Sequence, residues 1–138
     1  MDDVDLSKGG RVQVGIVVRD LDPMVAFYRD VLGFEPLEDV DVPGGGVLKR
    51  FALGGAGLKL LHIGGTPPAA NPPGGPAGGA SGLRYVTVVV DTVAGTVARC
   101  VAAGHAVPVP TFEFSPGVPV AMVEDPEGNW VELIEPHS

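Results

Sequence analysis

Cysteine, basic residues and long apolar runs are all scarce in this chain of 138 residues, and each scarcity narrows what the protein can be. A single cysteine, Cys100, cannot form an intramolecular disulfide. Lys and Arg number 9 against 17 Asp and Glu, and the net charge of −8 argues against a nucleic-acid partner, because phosphate binding needs a basic surface. No run of about 18 apolar residues occurs, so we expect no membrane partner and no membrane-spanning segment.

The first ten residues, "MDDVDLSKGG", are acidic and polar, whereas a secretory signal begins with basic residues and continues into an apolar stretch. Together with the lone cysteine, this favours a cytoplasmic location. Hydrophobic residues make up 45% of the chain, which is enough to form a core.

One segment, "GGTPPAANPPGGPAGGASG" at 64–82, consists almost entirely of Gly, Pro, Ala and Ser and has no hydrophobic periodicity. We interpret it as a linker. It separates a first module at 11–63 from a second module at 83–138, with residues 1–10 as an N-terminal extension, and the two modules together make one domain.

The two modules resemble each other in their order of predicted elements. Each opens with a β-branched run, "VQVGIVV" or "RYVTVVV", which is typical of a buried strand. A helical pattern and three extended segments follow, so both modules read as βαβββ. Matching positions keep a nearly constant spacing: 72 residues separate Gln13 from Tyr85, and 73 separate Lys59 from Glu132. This spacing indicates an internal duplication.

Each predicted helix carries recognisable start and stop residues. Asp22 is a suitable N-cap in the first module and Asp91 or Thr92 in the second, while Gly33 and Gly104 are suitable stops. The apolar stripes predicted to face the core are Val25, Tyr28, Val31 and Leu32 in the first helix, and Val93, Val97, Cys100 and Val101 in the second.

The stretches "VGIVVRDLDPMVAFYRDVLGFEPL" and "DPEGNWVELIE" resemble the vicinal oxygen chelate superfamily. That superfamily includes glyoxalase I, methylmalonyl-CoA epimerase, extradiol dioxygenases, and the bleomycin and fosfomycin resistance proteins. The resemblance covers about residues 11–136. It implies an α+β fold in which two βαβββ modules in tandem form curled mixed sheets that enclose a cleft. Such modules pair within a chain or swap across a dimer, and we expect a homodimer.

The resemblance also implies metal ligands on the first and last strand of each module, at the positions held here by Gln13, Lys59, Tyr85 and Glu132. Divalent Zn, Ni, Fe or Mn prefers imidazole and carboxylate ligands in such sites. Only Glu132 meets this preference, and a protonated Lys59 repels a cation. We therefore expect no metal cofactor. Gln13 and Glu132 are the ligands if a divalent metal does bind.

An ion pair between Lys59 and Glu132 is the hypothesis that replaces the metal. Two alternatives stay open at this point: Lys59 points to solvent, or Tyr85 forms an aromatic wall of the cleft and takes no part in chemistry. By strand alternation, His62 lies on the face opposite Lys59 and does not join its site.

The predicted cleft is also lined by apolar side chains, each of which has the core as its alternative place. With Gln13, Lys59, Tyr85 and Glu132 as polar anchors, these side chains favour a small, partly apolar organic ligand. They are Phe51, Phe112, Phe114, Met122 and Trp130.

Two classes of function fit this set of residues. A metal-free binding protein of the bleomycin-resistance type would sequester or sense a small molecule, as in antibiotic resistance. Alternatively, a lyase, isomerase or epimerase of the glyoxalase type would use Glu132, with Tyr85 or Lys59, as acid and base, with or without a divalent metal. A binding domain that serves assembly is a third class.

Overall fold

The computed structural model describes residues 9–136 and divides into two compact units between Thr66 and Pro67. Each unit contains one sheet and one helical segment. Within residues 9–136, no helix has both the length and the apolar character that crossing a bilayer requires.

The first unit begins with strand β1, Gln13–Val17, and helix α1, Leu21–Val25, which continues as a π-helical segment, Ala26–Val31. The extended stretch that follows is broken into two short strands, β2 at Glu35–Pro36 and β3 at Val40–Val42. Two long strands end the unit. They are β4, Gly46–Leu53, and β5, Ala56–His62. The sheet order is β1-β5-β4-β2, with β3 also on β4. Only β1 and β5 run parallel.

The second unit repeats this plan. It consists of β6, Tyr85–Val89, α2, Val93–Ala102, β7, Val109–Ser115, β8, Val118–Glu124, and β9, Trp130–Ile134. The sheet order is β6-β9-β8-β7, and the first pair is again the parallel one. The predicted α+β class with two βαβββ modules in tandem is therefore confirmed.

In the first unit, the helical segment supplies the largest buried side chains. Met24, Phe27 and Tyr28 are at most 1% exposed, and Tyr28 packs edge-to-face on Phe27 and on Phe34, with ring centroids 4.8 and 5.5 Å away. Of the predicted stripe only Tyr28 is fully buried. The buried face begins one residue earlier than predicted: Met24, Phe27 and Tyr28 have the i, i+3, i+4 spacing of an ordinary helical stripe, although the hydrogen bonds widen to residues five apart after Val25.

The predicted start of this helix is wrong by two residues. The N-cap is Asp20, and Asp22 and Pro23 lie inside the first turn. Proline is tolerated there, because the first N–H groups of a helix have no acceptor within it. The predicted stop is confirmed, since Gly33 follows the C-cap Leu32 with a φ of +80°.

Of the two caps left open for α2, Thr92 is the one used. Its hydroxyl accepts a hydrogen bond from the Gly95 backbone at 3.2 Å. Val93 and Cys100 are buried as predicted, but Val101 is 58% exposed. It lies in the last turn of the helix, at the edge of the apolar stripe, so the sheet does not cover it.

Most of the Gly/Pro-rich segment belongs to the second unit by its contacts. The Asn71 side chain donates to the Glu127 carbonyl at 2.9 Å, the Gly75 N–H donates to the Arg84 carbonyl at 2.8 Å, and the Arg84 guanidinium donates to the Pro73 carbonyl at 3.0 Å. We call residues 71–75 the strap.

Candidate functional site

The strand register of the first sheet brings predicted site residues to one face. Gly15 on β1 pairs with Lys59 on β5, and Arg50 on β4 pairs with Lys59 from the other side. Paired residues point to the same side of a sheet, as do residues two apart on a strand. Gln13, Arg50 and Lys59 therefore share one face, which we call the open face, while Leu60 and the helix lie on the other.

A depression of about 290 Å³ lies on the open face. Gln13 reaches across it, since a Cβ placed on Gly57 would come within 3.1 Å of the Gln13 Cγ. Glycine at 57 thus leaves room for the amide side chain to lie flat on the sheet. Among the residues lining the depression, the polar and charged ones are Arg11, Gln13, Arg50 and Lys59, and the larger apolar ones include Leu37 and Leu48.

The open face is positively charged, and the neighbouring acidic groups do not neutralise it. Arg50 donates from Nε to the Glu38 backbone carbonyl at 3.0 Å. Lys49, which points to the opposite face, holds the Asp39 carboxylate at 2.5 Å. Within residues 9–66, no carboxylate forms an ion pair with Lys59 or Arg50.

The second sheet gathers the other predicted residues on one of its faces. Tyr85 pairs with Trp130, and Glu132 pairs with Thr87 and Met122. The Thr87 hydroxyl donates to the Glu132 carboxylate at 2.9 Å. Tyr85 is 46% exposed and Met122 only 7%. A carboxylate oriented by a hydroxyl and flanked by a phenol is thus available on this face.

The strap covers Trp130. A Cβ on Gly75 would lie 2.3 Å from the indole Cε3, and one on Gly74 would lie 2.8 Å from Cδ1. The strap backbone therefore rests directly on the indole ring. Trp130 was predicted to contact a ligand, but much of its ring is in contact with its own chain. A second depression of about 380 Å³ beside the ring includes Asn71 and Glu124 in its lining.

Two predicted ligand contacts lie away from these groups. Phe51 pairs with Leu58, the pair next to Arg50–Lys59 in the β4–β5 ladder. Its side chain therefore points to the opposite, helix-covered face and is 3% exposed. Its orientation does not support a ligand contact on the open face, although the residue borders the depression. Phe114 lies on the edge strand β7, among bulged pairs, and is 73% exposed.

The placement of His62 agrees with the sequence analysis. It pairs with Val47, and it lies one residue past Leu61, which shares the face of Lys59. Its Nδ1 accepts a hydrogen bond from the Gly64 backbone at 3.1 Å.

Residues 10–133 match the sequence model of the Glyoxalase/Bleomycin resistance protein/Dioxygenase superfamily. The chain belongs to this superfamily. The mouse mitochondrial methylmalonyl-CoA epimerase is 36% identical in an alignment of length 98 that covers 65% of this chain and 51% of that protein. The chain thus spans about half the length of the curated relative it matches.

Solved structures of other proteins share the fold. A glyoxalase family protein from Bacillus cereus superposes with a TM-score of 0.78 at 20% identity, covering 90% of this chain and 91% of its own. An antibiotic-binding protein from a Streptomyces species superposes with a TM-score of 0.65 at 25% identity, covering 91% and 93%.

The residues at the metal positions of the superfamily do not fit a divalent ion. The first unit offers an amide at Gln13 and an ammonium at Lys59. The second unit offers a phenol at Tyr85 and a carboxylate at Glu132 that accepts from Thr87. Among residues 9–136, no three His, Cys, Asp or Glu side chains are grouped so that they could hold a metal. A protonated amine has no lone pair to donate and adds a repelling charge.

Sequence reasoning missed several residues around these groups. Arg11, Arg50, Leu37 and Leu48 line the depression, and Thr87 orients Glu132. A signal for Arg50 was present, because the Gly54–Gly55 turn between two strands predicts a tight hairpin that pairs position 50 with position 59.

Proposed function

We propose that this protein binds a small, partly apolar organic molecule on the open face of its first sheet, without the divalent metal of its superfamily, and thereby sequesters or senses that molecule. The observation that carries the proposal is the depression of about 290 Å³ with Gln13, Arg50 and Lys59 beside Leu37 and Leu48. Apolar walls with a few convergent polar groups are typical of ligand sites, and this volume suits a small ligand or one part of a larger one.

The comparisons support binding as a function of this fold. The Streptomyces protein, whose length this chain matches almost completely, is an antibiotic-binding protein. The donor set at the metal positions also favours binding over metal-assisted chemistry, because the Lys59 ammonium occupies a position where a ligand to a cation would be needed.

Ligand screening by thermal shift tests the proposal with a panel of aromatic antibiotics and aromatic acids. Leu37→Asp places a charge in the depression, and we expect it to abolish the stabilisation produced by any compound that raises the Tm of the wild type. Leu83→Asp is the matched control, because Leu83 is 92% exposed and lies in the second unit. Compounds that stabilise the Leu37→Asp variant as much as the wild type would contradict the proposed site.

A second candidate is an isomerase or epimerase, favoured by the similarity to methylmalonyl-CoA epimerase and by the Glu132–Thr87 pair. In an isomerisation the Glu132 carboxylate takes a proton from a carbon next to a carbonyl and returns it to the carbonyl carbon. In an epimerisation water reprotonates the carbon from its opposite face, and the carboxylate releases its proton to solvent. The Tyr85 hydroxyl donates a hydrogen bond to the carbonyl oxygen as negative charge develops there.

Turnover assays separate the two candidates. Methylmalonyl-CoA and a hemithioacetal are incubated with chelator-treated wild type, Glu132→Gln and Tyr85→Phe. Turnover that Glu132→Gln abolishes supports the enzyme. Absence of turnover in the wild type, with the Leu37-dependent thermal shift retained, supports the binding protein.

A further inference from the structure

Three of the nine Lys and Arg residues line one depression in a chain whose net charge is −8. Arg50 and Lys59 are direct partners in the antiparallel β4–β5 ladder, so their Cβ atoms are about 5 Å apart on the same face. Like charges directly opposite each other in a sheet are destabilising. Both residues are half-buried, which reduces the screening that salt provides. Repulsion between Arg50 and Lys59 therefore lowers the stability of the ligand-free protein, and a bound anion would offset this repulsion.

The donors of this face are arranged to receive an anion. Arg50 uses Nε on the Glu38 carbonyl, and this bond fixes the guanidinium plane while its two terminal nitrogens remain to donate. The sheet is open beside Lys59, because a Cβ on its strand partner Gly15 would meet no atom within 4 Å. Gln13 adds an amide N–H from its place over Gly57.

We propose that the ligand of the open face is an organic anion, with a carboxylate or phosphate group held between Lys59 and Arg50 and an apolar body resting against Leu37 and Leu48. The inference rests on the proposed binding function and adds the charge of the ligand. The ligand's negative group then lies beside the position where a metal ligand is expected in the superfamily, because the cation there is supplied by Lys59. Arginine forms two parallel hydrogen bonds to carboxylates and phosphates, which accounts for an arginine at 50.

A pair of fluorescent probes tests the charge separately from the apolar contact. Anilinonaphthalene sulfonate carries an anionic group on an aromatic body, and N-phenylnaphthylamine has nearly the same body without the charge. Both are titrated into wild type, Lys59→Gln, Arg50→Gln and Lys49→Gln, with circular dichroism to confirm that each variant is folded. Lys49→Gln is the matched control: it removes the same charge from the same strand, but on the opposite face.

We expect Lys59→Gln and Arg50→Gln each to weaken binding of the sulfonate probe about tenfold, since a hydrogen bond to a charged group is lost. Binding of that probe to Lys49→Gln should stay within about twofold of wild type, because its charge is distant from the ligand. The uncharged probe should bind all four proteins equally. Competition by benzoate and by phenyl phosphate then tells which anionic group the face prefers.

Several results would overturn the inference. If Lys49→Gln weakened binding of the sulfonate probe equally, the affinity would depend on the overall charge of the protein and not on contacts at the open face. Parallel weakening of the uncharged probe would show structural damage. An ion pair between Lys59 and Glu132 would satisfy the same ammonium, and Lys59→Gln would then leave the sulfonate affinity unchanged. If only the uncharged probe binds, the apolar site stands and the anion inference fails. If neither probe binds, both fail.

Discussion

Replacing Gly75 with alanine should lift the strap from Trp130. Gly75 has a φ of +82°, a conformation that costs an L-residue about 1–2 kcal/mol. Its new Cβ would also lie 2.3 Å from Cε3 and 2.4 Å from Cζ3 of the indole, far inside the usual carbon–carbon contact of about 3.5–4 Å. Ring and backbone cannot both stay in place. We therefore expect one or both of the Gly75–Arg84 and Arg84–Pro73 hydrogen bonds, of 2.8 and 3.0 Å, to break.

We expect Gly75→Ala to lower the free energy of unfolding by about 2–4 kcal/mol, from the backbone cost and about 1 kcal/mol for each lost hydrogen bond. Gly79→Ala is the control, because Gly79 has a φ of +90° and a Cβ there meets no atom within 4 Å. Its free energy of unfolding should fall only by the cost of the positive φ, about 1–2 kcal/mol.

Urea denaturation gives these free energies, and Trp130, the single tryptophan, reports the strap directly. In Gly75→Ala its emission should shift to the red and its quenching by acrylamide should increase, while Gly79→Ala should resemble wild type. Identical emission and equal destabilisation in the two variants would contradict this prediction, because the strap–indole contact would then contribute nothing to stability.

Three further predictions concern charge, a buried turn and the thiol. Lys59→Gln should raise the free energy of unfolding by about 0.2–1 kcal/mol at low salt in urea denaturation without ligand, and the gain should shrink as salt is added; a loss of stability would contradict the predicted repulsion. Asp125→Ala should cost about 2–4 kcal/mol in the same assay, because the 4%-exposed Asp125 carboxylate accepts from the Asn129 backbone and side chain at 3.0 and 2.9 Å; a cost below about 1 kcal/mol would contradict it. Burial raises the pKa of the Cys100 thiol, so a disulfide reagent should label native protein slowly and urea-unfolded protein quickly at mildly alkaline pH, and stability should fall as pH rises through the ordinary thiol pKa; equal labelling rates would contradict the burial.

The βαβββ order of elements in each module was predictable from the sequence, because the β-branched runs and the constant spacing of the two modules are visible in the sequence itself. The face of Lys59 was also predictable in principle. The Gly54–Gly55 turn sets the register of the β4–β5 hairpin and thereby places Arg50 opposite Lys59. Alternation along β5 alone separates Lys59 from His62, but the pair with Arg50 appears only when the alternation is continued across the turn.

The strap could not be predicted from its composition. A Gly/Pro-rich segment has no periodicity, and its position depends on contacts distant in sequence, such as Asn71 with Glu127 and Asn129. The π-helical widening after Val25 was equally hidden, because the capping residues describe only the ends of a helix. The covered indole follows from the strap contacts. The burial of Met24 and Phe27, in contrast, was readable from the sequence, because with Tyr28 they have the i, i+3, i+4 spacing of an ordinary helical stripe.

The proposed function requires that this superfamily member bind its ligand without a divalent metal. Elemental analysis of protein purified without chelator tests it most directly, with Glu132→Ala beside the wild type. We expect substoichiometric Zn, Ni, Fe and Mn in both proteins, because Lys59 repels a cation and Glu132 is the lone good ligand at the four positions. A stoichiometric metal in the wild type that is lost in Glu132→Ala would contradict metal-free binding.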